Sequence, residues 1–281
     1  MIFFGTADFA VTVLETLKAR GILPTLVVTE TDKPKGRGHA LTSPPVKIWA
    51  TQHAIPSLQP ETLRDESVEK TLREVGADVF LVAEYGKLLP PHILDIPPHG
   101  VLNIHPSLLP KYRGASPIRT AIREGGELGV CVMKLDHKMD HGPTLGCKAI
   151  AFENTPDADE AESVLAITGA QLYADLLPKW IEGTLRAEEQ EHEQATFTKK
   201  ITKEDGFIDL TMDANENWRR FKAYRSSPGV YFIATRKGRD LRVKITDAKL
   251  TTEGGFEPQS VIPENKREMP YQDFLRGNLS S

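Results

Sequence analysis

Residues 103–116 read Asn103-Ile-His-Pro-Ser-Leu-Leu-Pro-Lys-Tyr-Arg-Gly-Ala-Ser116, and the rest of the chain is organised around them. The stretch opens inside a segment with strand character, Val101-Leu-Asn-Ile-His105. Strand side chains alternate between faces, so Asn103 and His105, two positions apart, project an amide and an imidazole into one space. Pro106 then removes the next backbone donor and turns the chain outward. Ser116-Pro117 has the form of an N-cap followed by proline in the first helical position, which predicts a helix over 117–124. Open α/β sheets place their chemistry beyond the carboxyl ends of their strands, so the end of this strand is a candidate site.

The flanking chain supplies the sheet. Residues 1–5 form a short apolar run ending at Gly5, and Phe9, Val13 and Leu17 make one stripe of a helix over 8–20, closed by Gly21. Thr25-Leu-Val-Val-Thr29 is the next strand. The intervening turn, Gly-Thr-Ala-Asp-Phe, lacks the G-x-G-x-x-G fingerprint, so the βαβ opening predicts a Rossmann-like, mostly parallel sheet without a dinucleotide. Helices are expected near 45–53, 65–75 and 91–94, with strands at 78–83, 129–135 and 145–152. A long helix over 157–181 turns Leu165, Leu172 and Leu176 to the core.

Residues 30–47, ETDKPKGRGHALTSPPVK, show almost no apolar periodicity and read as a long connection without regular structure. Long connections in compact domains carry function or stay solvated, and basic ones suit phosphates. Residues 187–194 are a polar, acidic run without a stripe and read as a linker. From Lys199 to Lys249, 13 Lys/Arg stand against 7 Asp/Glu, a local net of +6. Alternating pieces at 230–234 and 241–245 predict a small β domain there. The expected division is therefore 1–184, a linker at 185–198, and 199–281.

The whole chain has 281 residues and a net charge of −4, which excludes a generally basic nucleic-acid coat but leaves room for a local basic surface. No apolar run approaches the ~18 residues of a spanning helix, and the opening Met-Ile-Phe-Phe-Gly lacks the features of a signal peptide. Cys131 and Cys147 set neither a disulfide framework nor a metal spacing, so a reduced, cytoplasmic setting is expected.

Asn103 offers an amide donor, His105 a donor or base, and Asp140 is the next carboxylate, in the turn 136–142. No serine or cysteine stands in a nucleophile elbow, which leaves direct attack on a bound carbonyl, its oxyanion facing Asn103 and protonated His105 while Asp140 assists proton movement. Each residue also has a structural reading: a strand-end histidine, a turn-capping asparagine, a loop-closing aspartate. The cluster Asp136, His137, Asp140, His141 matches no strong metal motif, and no metal is expected.

Asn103–Pro117 resembles the signature of the folate-dependent formyltransferases, and Asp136-x-x-x-Asp140-x-Gly142 resembles their second motif. The resemblance implies a catalytic trio of Asn103, His105 and Asp140, with 10-formyltetrahydrofolate as co-substrate. It places the folate against Ser107, Leu108, Leu109 and Pro110, against Lys87, Leu88 and Leu89, and against the turn at Leu135 and Asp136. Within the family the likeness runs to members that formylate the amino group of charged initiator tRNA in translation initiation. KPKGRGHALTSPPVK is similar to their tRNA-contacting insertion, with Lys35 and Arg37 as contacts. FTKKITKEDGFIDL is similar to their junction into an OB-like barrel, with Lys200 among the tRNA-facing lysines. Between Leu250 and Val261 the family carries a longer stretch, so a shortened barrel is expected. The expected protein is a monomer; a sugar-nucleotide N-formyltransferase with the same chemistry is the alternative, and a nucleic-acid-binding protein on an inactive version of the fold is a second.

Overall fold

The structure, a computed structural model, describes residues 1–35, 40–236, 238–251 and 254–279. In chain order the elements are β1 (Ile2–Gly5), α1 (Asp8–Ala19), β2 (Leu26–Val28), β3 (Lys33–Lys35), β4 (Ala40–Thr42), α2 (Pro45–Gln52), β5 (Ser57–Leu58), α3 (Glu66–Val75), β6 (Phe80–Ala83), α4 (Pro91–Leu94), β7 (Val101–His105), β8 (Arg113–Gly114), α5 (Pro117–Glu124), β9 (Leu128–Lys134), β10 (Thr144–Ile150) and α6 (Ala158–Ile181). The C-terminal part adds β11 (Phe197–Thr198), α7 (Ala214–Tyr224), β12 (Val230–Arg236), β13 (Arg239–Leu250), β14 (Phe256–Pro263), β15 (Met269–Pro270) and α8 (Tyr271–Leu279). Two compact units result: residues 1–114, 129–150 and 162–197 form one, and 115–128, 151–161 and 198–281 the other.

The first unit is built on a seven-stranded sheet ordered β10-β9-β7-β6-β1-β2-β5. β1 pairs in parallel with β2 and β6, β2 with β5, and β6 with β7; β9 runs antiparallel to β7. This is the expected mostly parallel α/β sheet. Strands buried on both faces read as continuous apolar runs, and Ile-Phe-Phe and Phe-Leu-Val-Ala in β1 and β6 are fully buried accordingly. The α1 stripe lands as expected, with Phe9, Val13 and Leu17 in the core. α3 opens on Asp65, whose carboxylate accepts from the Ser67 N–H, and stops at Gly76 in the left-handed region.

Four expectations change. The base of the 30–47 connection is a hairpin, with Lys33 opposite Thr42 and Pro34 opposite Leu41. Its foot is held by Asp32, which accepts from Lys47 and Ser43, each at 3.1 Å, and from Gln59 at 2.7 Å. The two cysteines are bonded to each other; they sit on neighbouring strands, β9 and β10, a proximity that only the folded sheet creates. Ser116 occupies the N-cap position without a side-chain cap bond, its N–H donating instead to Thr198 Oγ1 at 3.0 Å. Leu165 is fully buried, but Leu172 and Leu176 are half-covered, because they lie over Gly146 in β10 at the end of the sheet order.

The second unit is a small antiparallel sheet in the order β12-β13-β14-β15. Its core gathers Ile208, from the segment before α7, with Phe221, Val230, Val243, Ile245, Val261 and Phe274 from the strands, α7 and α8. α5 belongs here through α7: Arg119 donates to the Ala223 carbonyl at 2.9 Å and Arg219 to the Arg123 carbonyl at 3.2 Å. Asp157 joins it through Lys222 at 3.1 Å.

Candidate active site

β7 places the two polar side chains. It lies between β6 and β9, so all five of its residues are buried, Asn103 at 9% and His105 at 4% exposure. Asn103 is opposite Met133 and His105 opposite Cys131, all in the body of the sheet. Buried polar groups of this kind need partners. The ring of His105 has one hydrogen-bond acceptor and one nearby carboxylate: Nε2 lies 3.2 Å from the Tyr112 carbonyl, and Nδ1 lies 3.7 Å from Asp140 Oδ1, beyond direct hydrogen-bond length. A carbonyl only accepts, so Nε2 carries a proton, and protonation of Nδ1 would face that edge of the ring with a carboxylate.

Asp140 is held in place by neighbours distant in sequence. Its Oδ2 accepts from the Gly114 N–H at 2.7 Å. Its φ of 48° lies in the left-handed region, which aspartate adopts more readily than most residues. Its own carbonyl and that of Gly142 accept from Gln190 Nε2, at 3.0 and 2.6 Å. Gln190 Oε1 accepts from Arg113 Nη2 at 2.6 Å and Nε at 3.2 Å, and Arg113 also contacts His192 Nδ1 at 2.9 Å. Arg113 and Gln190 are buried polar residues at 3% and 8% exposure. Burial pushes the Arg113 guanidinium down from its ordinary value, opposed by the charges of Asp140 and Asp136. The segment read as a linker is thus fastened to the site turn, and a further pair of main-chain bonds joins Glu188 to Thr144.

In the same turn Asp136 accepts from the Lys138 N–H at 2.8 Å and pairs with His141 Nδ1 at 2.7 Å. His141 stacks on His192, ring centroids 4.0 Å apart. Among the described residues no group of three or more His, Cys, Asp or Glu is arranged to hold a metal ion.

The residues assigned to the folate occupy three loops. Ser107 is buried and donates to the Lys111 carbonyl at 2.7 Å, which tightens the loop after β7. Leu108 lies over Gly129, where any side chain would collide with it. The Leu109 N–H points at Cys131 Sγ at 3.3 Å, and the Pro110 carbonyl accepts from Thr196. Lys87 Nζ donates to the carbonyls of Pro60 and Glu61, Leu88 is 79% exposed, and Leu89 is buried. Leu135 hydrogen-bonds through its N–H to the Val101 carbonyl, beside Asp136. Of the residues assigned to tRNA, Lys200 is exposed beyond β11 and the backbone of Lys35 ends β3, while Arg37 lies outside the described residues. The structure brings Asn103, His105 and Asp140 together on β7 and its neighbouring turn. It adds Arg113, Gln190 and the Tyr112 carbonyl, which sequence reasoning passed over. Arg113 stood inside the quoted stretch; Gln190, in an acidic run with no periodicity, gave no signal.

The formyl transferase family model matches residues 1–177, and the model of the formyl transferase C-terminal domain matches residues 200–258. The chain belongs to the formyl transferase family. Among curated relatives, the methionyl-tRNA formyltransferase of Chloroflexus aggregans is 41% identical over 96% of this chain and 87% of its own length. In fold the chain is similar to the methionyl-tRNA formyltransferase of Clostridium thermocellum (TM-score 0.60, 13% identity, 93% of this chain and 97% of that one). It is also similar to the N-formyltransferase of Helicobacter canadensis solved with folinic acid and dTDP-3-aminofucose (TM-score 0.63, 17% identity, 89% and 87%).

Proposed function

We propose that this chain transfers the formyl group of 10-formyltetrahydrofolate to the α-amino group of methionyl-initiator tRNA. The observation that carries the reading is the buried pair Asn103 and His105 with Asp140 beside the histidine, standing in the family's motifs on a chain 41% identical to a methionyl-tRNA formyltransferase over nearly its whole length.

The folate carries the formyl carbon; this chain's residues orient it and handle charge and protons. Asn103 donates to the formyl oxygen as the amine adds and negative charge develops there. His105 supports the same charge as an imidazolium, held between Asp140 and the Tyr112 carbonyl, and Asp140 assists proton movement through the ring. Ser107–Pro110, Lys87–Leu89 and Leu135–Asp136 are the folate-facing segments. We assign the chemistry to residues 1–184 and tRNA holding to residues 199–281; of the joining segment 185–198, residues up to 197 belong to the first unit and bond to the site turn through Gln190. Lys35, Arg37 and Lys200 contact the tRNA backbone, consistent with the hairpin and with the net +6 over 199–249. The protein works as a monomer in the cytoplasm, and among the described residues no helix is long and apolar enough to cross a membrane.

Removing one oxyanion donor costs about 10²–10³ in rate, roughly 3–4 kcal/mol. Asn103→Ala and His105→Ala are therefore expected to abolish formyl transfer with folding retained. Transfer is assayed on methionyl-tRNA and on amino-sugar nucleotides in parallel. Near-wild-type turnover by either variant refutes the residue roles, and preference for the sugar substrate refutes the choice of amine.

A further inference from the structure

We propose that Gln190 is a positioning residue for formyl transfer, acting on Asp140 through the main chain of its turn. The inference rests on the reading of Asp140 as part of the site. It starts from a closed ring of hydrogen bonds. Gly114 N–H holds the Asp140 carboxylate, Arg113 next to it grips Gln190 Oε1 with two N–H groups, and Gln190 Nε2 returns to the carbonyls of Asp140 and Gly142. Every hydrogen-bonding position that the carboxamide points into this ring is used, and the side chain is buried.

The ring has a mechanical consequence. The two carbonyls that Gln190 holds bracket His141, so the amide fixes the chain immediately after the left-handed step at Asp140. Asp140 Oδ1 stands 3.7 Å from His105 Nδ1, a separation at which a small rotation of the turn decides whether a direct hydrogen bond forms. Reacting groups held slightly out of place lose rate without losing binding. Among the described residues Gln190 makes no hydrogen bond to His105 or to Ser107–Pro110; it reaches the site through the 140–142 turn and through Arg113.

The test compares the full-length wild type with Gln190→Ala and Gln190→Glu. The glutamate keeps the size and the acceptor for Arg113 but has no donor for the two carbonyls. Turnover is normalised to sites that bind 10-formyltetrahydrofolate, and amide hydrogen exchange is followed over residues 136–142. Both variants are expected to lose at least tenfold in kcat per binding site, with KM for folate and for methionyl-tRNA within about threefold of wild type. Exchange in the turn is expected to quicken. A merely structural role would lower the number of binding sites and leave kcat per site unchanged, and that outcome overturns the inference. So does full turnover by Gln190→Glu. If the wild type fails on methionyl-tRNA while the variants still loosen the 136–142 turn, the proposed function falls and the clamp stands; unchanged exchange in both variants removes the clamp, whatever the substrate.

Discussion

Gly169 offers a perturbation whose size can be worked from the structure. It sits inside α6, where glycine costs about 1 kcal/mol relative to alanine, so on propensity alone Gly169→Ala should stabilise. Space says the opposite. A Cβ at this position would stand 2.5 Å from Ile104 Cγ2 and 2.8 Å from Val130 Cγ2. Both methyls sit on β-branched carbons in strands β7 and β9, so relief requires off-rotamer side chains, at about 0.5–1.5 kcal/mol each, or a shift of the helix. Overpacking of this kind costs about 1–3 kcal/mol. Subtracting the propensity gain leaves a net loss of about 0–2 kcal/mol, or a fall in Tm of up to ~8 °C at 2–4 °C per kcal/mol. Ile104 separates Asn103 from His105, so displacing it also tilts the site, and kcat is expected to fall severalfold. Urea unfolding followed by Trp49 and Trp180 fluorescence gives the stability change, with Gln171→Ala on the exposed side of the helix as a neutral control. A Gly169→Ala protein about 1 kcal/mol more stable than wild type, with full turnover, would show that the contact does not constrain the site.

Two further outcomes are expected. Burial resists ionisation of Asp136, yet the Lys138 N–H and His141 outweigh it and hold the carboxyl below the usual range. A depressed carboxylate pKa contributes stability that is present above about pH 4 and lost as the pH falls through the folded value. Asp136→Asn should therefore be less stable than wild type at pH 7, with the gap narrowing as the pH falls below about 4; a gap that stays the same size throughout the acid range sinks this account. Arg37→Ala should raise KM for charged tRNA, lower the slope of log KM against log salt by about one, and leave KM for the folate unchanged. Identical salt series for the two proteins would remove the insertion from the tRNA surface.

What could be read in the chain was whatever depended on local periodicity. The two-residue spacing of Asn103 and His105, the α1 stripe and the Pro91–Leu94 turn all appear where alternation, 3.6-residue recurrence or a leading proline places them. The hairpin at 33–42 escaped because Lys-Pro-Lys carries no strand propensity; its pairing is fixed from outside, by Asp32 and its three donors. The Cys131–Cys147 bond escaped because 16 residues separate the pair and only the adjacency of β9 and β10 brings them together. The motif reading singled out Asn103, His105 and Asp140 but not the residues bonded around Asp140, since Arg113 and Gln190 meet across 77 residues.

That division bears on how the site works. Strand β7 sets the direction in which Asn103 and His105 point, and a pleat is enough for that. The distance between His105 and Asp140 is a different matter, because the two stand on separate elements. The turn is pinned where Gly142 passes so close to the Lys134 carbonyl that any side chain would collide with it, and where the Pro143 carbonyl accepts from Lys134 at 2.9 Å. Those contacts close the turn onto β9. They leave the left-handed step at Asp140 to be set by Gly114 and Gln190, one from the loop that follows His105 and one from the chain leading out of the unit. A substitution at Gly114 or Gln190 is therefore expected to move the Asp140 carboxylate relative to His105, because each of these two residues bonds to Asp140 itself.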